Sequence, residues 1–238
     1  MALQLQVEIA VAKVSKYAVS ESGDTVESVE RPQGGISVVV ADGQRSGRSA
    51  KAISNLVVRK AVSLLAEGVR DGAVARATGD YLYTERGGKV TAELFIASVD
   101  LVSQTLVISR NARCPALLRQ GGEMMTLALP SEAVGAHRNS KPAITELPLT
   151  NDTLVVICTD GVWDAGETAG KRIDVAAQLQ EIDPRHSVDA QTLADTILAE
   201  ALRLDSNRPR DDATVVIVRI APHEREQEIR RMTVRFPI

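Results

Sequence analysis

Residues 36–43 of the chain read ISVVVADG, a short apolar run that stops at an acidic residue and a glycine. A continuous apolar run of this length is typical of a strand buried on both faces. It predicts a strand over residues 36–41. Asp-Gly is a common turn dipeptide, so this ending alone indicates only that the strand is followed by a turn.

The same arrangement occurs at two further places in the chain. Residues 153–161 read TLVVICTDG, and residues 211–220 read DDATVVIVRI, so each combines an apolar strand with acids at one end. A fourth acidic position lies in the segment SGD at residues 22–24. The acids selected in this way are Asp24, Asp42, Asp160, Asp211 and Asp212.

Carboxylates that converge from several strand ends repel one another, and a bound divalent cation commonly removes that repulsion. Ligands that are all oxygen atoms favour Mg²⁺ or Mn²⁺ over Zn²⁺. Two such ions about 4 Å apart can activate a water molecule and hold phosphoryl oxygens. The three histidines lie away from these segments, and no Gly-x-Ser-x-Gly motif or paired Cys and His indicates a protein nucleophile.

The remaining pattern predicts an antiparallel α+β fold. Helical spacing of apolar residues begins at Ser49, a second helix is predicted over residues 72–83, and a long helical stripe follows from Ala190 to Leu202. Strands cluster in hairpins instead of alternating with helices, which favours a layered antiparallel architecture. The predicted strands cover residues 3–11, 36–41, 94–99, 105–109, 115–119, 124–129, 144–149, 153–158 and 214–220, with residues 232–238 as a further candidate.

Composition narrows the class of protein. The 238 residues are 44% hydrophobic and 25% charged, with a net charge of −3, which argues against a general nucleic-acid binder. No apolar run approaches the roughly 18 residues of a membrane span, and the first residues lack signal-peptide character. Two cysteines, Cys114 and Cys158, are too few for a disulfide scaffold. We therefore expect a cytoplasmic protein that binds neither membrane nor nucleic acid.

The motifs, taken in order, resemble the SpoIIE/RsbU/RsbX-type bacterial phosphatases of the metal-dependent PP2C (PPM) superfamily. Residues 22–24 resemble that family's Gly-Gly-Asp segment, and residues 38–50 resemble its Asp-Gly loop and following helix. Residues 111–118 resemble a middle hairpin, and residues 159–162 and 211–215 match the last two motifs. The resemblance covers roughly residues 5–220 and implies a PP2C-like α-β-β-α sandwich of two antiparallel sheets flanked by helices.

The resemblance also implies ligands for two ions, Mn²⁺ or Mg²⁺. Asp42 is expected to bridge both metals, with the backbone carbonyl of Gly43 on the second. Asp160 and Asp211 are expected to complete the shell of the first metal, so that Asp42, Asp160 and Asp211 are the catalytic acids. Asp24 is expected beside the second metal. Asp212 is left open between a place near the metals and a cap on the strand entry.

Two departures from the family pattern concern arginines. Arg113 stands where the family often has glycine, and no arginine clearly matches the one that binds phosphate in eukaryotic relatives. Arg45 and Arg48, in the loop after Asp42 and the start of the following helix, are candidates for that role.

The resemblance implies that water activated by the metals hydrolyses phosphoserine or phosphothreonine on a regulatory protein, such as an anti-sigma-factor antagonist. We expect residues 1–221 to form the phosphatase domain and residues 222–238 to be a charged extension without an assigned role. The alternative is a catalytically weak or inactive module of the same fold that binds a signalling partner through residues 114–140. Retention of all the acids favours the enzyme.

Overall fold

The structure is a computed structural model that describes residues 5–223 and 229–235. Within these residues the chain forms two antiparallel five-stranded sheets. The strands are β1 (Leu5–Val14), β2 (Asp24–Glu30), β3 (Gly35–Gly43), β4 (Ala92–Asp100), β5 (Thr105–Asn111), β6 (Ala116–Gln120), β7 (Glu123–Leu127), β8 (Ala143–Pro148), β9 (Thr153–Cys158) and β10 (Ala213–Pro222).

The strand order is β1-β10-β9-β6-β7 in the first sheet and β2-β3-β4-β5-β8 in the second. Both sheets therefore mix strands from the two halves of the chain, and strands that carry distant acids become neighbours. The helices are α1 (Gly47–Ala66), α2 (Asp71–Arg86), α3 (Asp160–Trp163), α4 (Val175–Ile182) and α5 (Ala190–Leu204).

Successive residues of a strand point to opposite faces of its sheet, so they alternate between the core that lies between the sheets and the cores that lie beneath the helices. In β3, Val38 and Val40 pack between the two sheets, whereas Val39 packs beneath α1 and α2. In β10, Val216 faces the inner core and Val215 packs beneath α4 and α5. The predicted α+β sandwich, two antiparallel sheets flanked by helices, is therefore confirmed.

The predicted strands between residues 36 and 158 are all present, with their ends moved by a few residues. The second helix is longer than predicted and runs to Arg86, where Gly87 ends it in the left-handed conformation with φ of 60°. The turn at residues 120–123 also forms as predicted, because Gly121 and Gly122 supply positive φ angles between β6 and β7.

Sequence patterning missed β2 and the helices α3 and α4, and it placed one strand wrongly. Strand β2 is absent from the predicted strands because it is an edge strand with exposed glutamates and no clear apolar alternation. Helix α4 was not predicted, although the side chain of Asp174 caps its first turn at Ala177 N. The candidate strand over residues 232–238 is wrong where it can be judged, since residues 232–235 are in no strand; residues 236–238 lie outside the described residues.

Candidate metal centre

Three acidic side chains form a row across the second sheet. Asp24 pairs directly with Asp42 between β2 and β3, and Asp42 pairs directly with Glu93 between β3 and β4. Direct partners in an antiparallel sheet point to the same face. Asp42 follows Val38 and Val40 in the alternation along β3, so all three acids face the space between the sheets, at the edge of the sandwich.

The first sheet brings two more acids to the same edge. Asp160 begins α3 directly after β9, and Asp211 lies just before β10. Because β9 and β10 pair antiparallel, the end of one strand lies beside the start of the other. The two loops approach so closely that a Cβ on Gly161 would lie 2.3 Å from the carbonyl oxygen of Asp212. Glycine at 161 therefore permits the approach of the two acidic loops.

Asp24 connects the two sheets through its fully buried carboxylate. Its Oδ2 accepts hydrogen bonds from the hydroxyls of Thr159, at 3.1 Å, and Thr214, at 2.5 Å. Its other oxygen, Oδ1, is buried and has no hydrogen-bond partner in the described part of the chain. A buried carboxylate oxygen without a partner is costly, so this atom is suited to a cation.

The acids are close enough to shift one another's ionisation. Burial and the charges of Asp24, Asp160, Glu93 and Asp211, in that order, raise the pKa of Asp42 to about 10. Burial is also the main cause that raises the pKa of Asp24 to about 7 and that of Asp160 to about 6. Burial and mutual repulsion therefore disfavour the charged form of these carboxyl groups, and a bound divalent cation would offset both effects.

The two adjacent acids at 211 and 212 have different surroundings. Asp211 contributes to the raised pKa of both Asp42 and Asp160, so its charge faces the cluster. Asp212 accepts from the backbone N–H of Lys16 at 2.9 Å with Oδ1 and from that of Gly23 at 2.8 Å with Oδ2. Both oxygens of Asp212 are thus engaged with the segment that leads into β2.

The two remaining motif glycines pack against the start of α1. A Cβ on Gly43 would lie 2.1 Å from the carbonyl oxygen of Ala50, and a Cβ on Gly23 would lie 2.6 Å from the Cβ of Ala50. Ala50 itself is fully buried. The close packing of these three small residues holds Asp24 and Asp42 beside each other.

Two lysines lie at the β2 side of the cluster. The Nζ atoms of Lys13 and Lys51 donate to the same backbone oxygen, that of Asp24, at 3.0 and 2.7 Å. Burial, followed by the neighbouring charge of Lys13, lowers the pKa of Lys51. Their positive charges partly offset the acids on that side.

Sequence reasoning missed Glu93 and its partner Arg113. Glu93 Oε1 accepts from the backbone N and from Nε of Arg113, at 3.0 and 3.2 Å, and Arg113 Nη2 lies 3.5 Å from Asp160 Oδ2. Glu93 Oε2 is buried without a hydrogen-bond partner among the described residues. The available signal was a single charged residue at the start of an otherwise apolar strand over residues 92–99.

The oxygen ligands of this cluster suit a pair of hard divalent cations. Their side chains are not arranged around a single point. In the described ranges, no three acidic, histidine or cysteine side chains are arranged as a complete coordination site. The orphaned Asp24 oxygen and the mutual repulsion around Asp42 support the fit. His186 and His223 bond to Asp152 and Gln6 instead, away from the cluster.

Neither cysteine is suited to act as a nucleophile. Cys114 and Cys158 are both buried and unpaired, and burial raises the pKa of each thiol above its usual range. A buried thiol with a raised pKa remains protonated and unreactive at neutral pH.

Among the described helices, none has both the length and the apolar character that crossing a membrane requires.

A family model described as Stage II sporulation protein E (SpoIIE) matches residues 32–221. The chain is 20% identical over 214 residues to the stage II sporulation protein E of Priestia megaterium, and 20% identical over 215 residues to that of Bacillus subtilis (strain 168). These alignments cover 90% of this chain but 36% and 26% of the two relatives, respectively. The chain therefore spans about a third or a quarter of the curated relatives it matches.

Solved structures share the fold. The PP2C phosphatase domain of SpoIIE from Bacillus subtilis, solved with a fragment of its regulatory domain, matches with a TM-score of 0.77 and 19% identity over 93% of this chain and 65% of that chain. The RsbU and RsbW domains of a Mycobacterium tuberculosis protein match with a TM-score of 0.73 and 18% identity, covering 91% and 61% of the two chains. The catalytic domain of the serine/threonine protein phosphatase PstP, in complex with two manganese ions, matches with a TM-score of 0.70 and 16% identity, covering 92% and 100%. At these identities the likeness establishes the PP2C fold.

Proposed function

Because the chain belongs to the SpoIIE family, whose model spans residues 32–221, we propose that it is a metal-dependent protein serine/threonine phosphatase. The observation that carries the proposal is the buried carboxylate cluster at the edge of the sandwich, where burial and neighbouring acids raise the pKa of Asp42 to about 10. A structural role alone does not explain why several acids from both sheets are held against their mutual repulsion.

The residues that would hold the ions are Asp24, Asp42, Asp160, Asp211 and the backbone carbonyl of Gly43. We assign the central, shared place to Asp42, because its partners in the sheet are acids on both sides. We do not assign a direct metal contact to Asp212, since both its oxygens accept backbone N–H groups. When bound, two Mn²⁺ or Mg²⁺ ions supply an activated water and the charge that stabilises phosphoryl transfer.

The chain's own contribution is to hold these carboxylates in place. Thr159 and Thr214 fix the rotamer of Asp24 and leave its second oxygen free. Gly161 lets the Asp160 loop lie directly on the loop that carries Asp211. Because both thiols are buried, we assign the reaction to direct attack by water instead of attack by a cysteine.

The substrate we propose is phosphoserine or phosphothreonine on a regulatory protein, of the kind represented by anti-sigma-factor antagonists. The family relationship supports this choice, together with the structural likeness to the RsbU and RsbW domains. The position of the acids at the edge of the sandwich is compatible with a phosphorylated loop of a folded protein as the substrate.

The test compares hydrolysis of an aryl phosphate and of a phosphoserine protein with Mn²⁺ and with excess chelator. The proposal requires turnover that depends on the metal and is lost in Asp42→Asn, while circular dichroism shows an unchanged fold. Metal binding without turnover of either substrate would contradict the proposal and favour the alternative, a non-catalytic interaction module of the same fold.

A further inference from the structure

Arg113 is held over the acid cluster by a buried carboxylate. It lies between β5 and β6, and both its backbone N–H and its Nε–H donate to Glu93 Oε1, at 3.0 and 3.2 Å. Glu93 is only 8% exposed, so it is a fixed anchor at the inner face of the second sheet. The hydrogen bond from Nε also raises the pKa of Arg113, which keeps the guanidinium charged.

The outer part of the same side chain remains accessible. The Arg113 side chain is 79% exposed, and its Nη2 lies 3.5 Å from Asp160 Oδ2. Among the described residues, the Arg113 Nη1 atom has no hydrogen-bond partner. One side of the guanidinium is therefore fixed by Glu93, and the other is exposed to solvent beside Asp160.

The other basic side chains near the cluster donate to backbone oxygens or form no ion pair with its acids among the described residues. Lys13 and Lys51 donate to the backbone oxygen of Asp24. Arg110 is buried and donates to the carbonyls of Ala112, Cys114 and Leu129. The two arginines suggested by the sequence, Arg45 and Arg48, are exposed and form no ion pair with an acid of the cluster among the described residues.

We propose that Arg113, anchored by Glu93, binds the phosphoryl group of the substrate. A guanidinium can donate two parallel hydrogen bonds to phosphate oxygens, which fixes the orientation of the group as well as its position. With cations at the acid cluster, Asp160 no longer needs Arg113 as a counter-ion, and the Nη atoms become free for phosphate. Arg113 is then a substrate-binding residue of the proposed phosphatase, and this inference rests on that proposed function.

The competing role is that of a counter-ion alone. In that case, Arg113 would only neutralise Asp160 and Glu93 while no metal is bound. The two roles differ in what happens when the arginine is removed. A phosphate-binding residue lowers the affinity for phosphate, whereas a counter-ion competes with the cations, so its removal strengthens Mn²⁺ binding and leaves phosphate binding unchanged.

The experiment is calorimetric titration of inorganic phosphate into the Mn²⁺-loaded full chain, beside titration of Mn²⁺ into the metal-free chain. The variants are Arg113→Ala, Arg113→Lys and, as a matched control that removes one exposed positive charge nearby, Arg48→Ala. We expect Arg113→Ala to weaken phosphate binding about tenfold to a hundredfold, the range for lost hydrogen bonds to a charged group. Arg113→Lys should recover part of the loss, and Arg48→Ala should remain within about twofold of the wild type, as expected for a screened surface charge.

Equal phosphate affinity in the wild type and Arg113→Ala would overturn the inference, as would a loss of the same size in Arg48→Ala. Wild-type protein that binds no phosphate would overturn it too. The binding result does not depend on turnover. An inactive protein that binds phosphate through Arg113 would contradict only the proposed phosphatase activity. An active enzyme whose phosphate affinity is unchanged in Arg113→Ala would contradict only this inference. In an active enzyme, Arg113→Ala should raise KM more than it lowers kcat.

Discussion

The hydroxyl of Thr214 in the first sheet donates a 2.5 Å hydrogen bond to Asp24 Oδ2 in the second sheet. Thr159 donates to the same oxygen, so two hydroxyls from one sheet hold one carboxylate from the other. The consequence is that the spacing between the sheets at this edge and the orientation of Asp24 depend on the same contacts.

Thr214→Val tests this contact by replacing a hydroxyl with a methyl group of similar size. We expect the free energy of unfolding to fall by about 1 kcal/mol, the usual net contribution of one hydrogen bond, because Thr159 still donates to the same oxygen. Mn²⁺ affinity should fall as well, because Asp24 loses a fixed rotamer. Thr214→Ser keeps the hydroxyl and should resemble the wild type in Mn²⁺ binding. Equal Mn²⁺ affinity in all three proteins would show that the contact does not position Asp24.

The metal-free protein should lose stability as pH rises. The unfolded-state value for an aspartate is 3.8, and the folded values are about 6 for Asp160, about 7 for Asp24 and about 10 for Asp42. Between these limits the folded state binds more protons than the unfolded chain, so the free energy of unfolding decreases with pH.

The measurement is the melting temperature in chelator between about pH 5 and pH 8, where the folded state retains carboxyl protons that the unfolded chain has already lost. We expect a fall in the wild type and a shallower fall in Asp42→Asn, which lacks the group with the largest shift. Saturating Mn²⁺ should remove most of the difference. A wild-type melting temperature that rises across this range would be opposite in sign to the prediction.

Asp211 and Asp212 should respond differently to the same substitution. Asp211→Asn should weaken Mn²⁺ binding with little change in the metal-free melting temperature, because its charge faces the other acids. Asp212→Asn should instead lower the melting temperature, because an amide can accept only one of the two backbone N–H groups that Asp212 now accepts. Both properties are measured by Mn²⁺ titration and thermal unfolding. The reverse pattern would show that the ligand roles at these two positions have been exchanged.

We propose that residues 222–238 are dispensable for catalysis. The last strand ends at Pro222, and the described residues beyond it contact the sandwich through a hydrogen bond between His223 and Gln6 and an ion pair between the well-exposed Arg230 and Glu30. Exposed ion pairs contribute little to stability. A chain ended after Pro222 should therefore keep its melting temperature within a few degrees and retain aryl phosphatase activity. Loss of activity in a folded, shortened chain would assign a function to the tail.

Local sequence was enough to select Asp24, Asp42, Asp160 and Asp211. Each lies at a strand end beside a turn residue, and three of them adjoin an apolar run. The fold class followed from the same runs and from the hairpin spacing. Metal binding by these acids remains a prediction.

Local sequence could not identify Glu93 and Arg113, because their roles depend on register and on a contact between loops. Glu93 faces the cluster only because β3 and β4 pair with Asp42 opposite Glu93. Arg113 reaches Asp160 from a different loop, 47 residues away in the chain. For the same reason the sequence could not separate Asp211 from Asp212, since their difference lies in which backbone groups each one meets.

The most direct test of the metal centre is the melting temperature of the wild type with and without saturating Mn²⁺. A ligand that binds only the folded state at about 100 times its dissociation constant stabilises it by about 2.7 kcal/mol. For a domain of this size, that corresponds to a rise of roughly 5 to 10 °C. We predict that rise in the wild type, its reversal by excess chelator, and a much smaller rise in Asp42→Asn. A wild-type melting temperature that does not respond to millimolar Mn²⁺ or Mg²⁺ would contradict the metal centre and the phosphatase proposed from it.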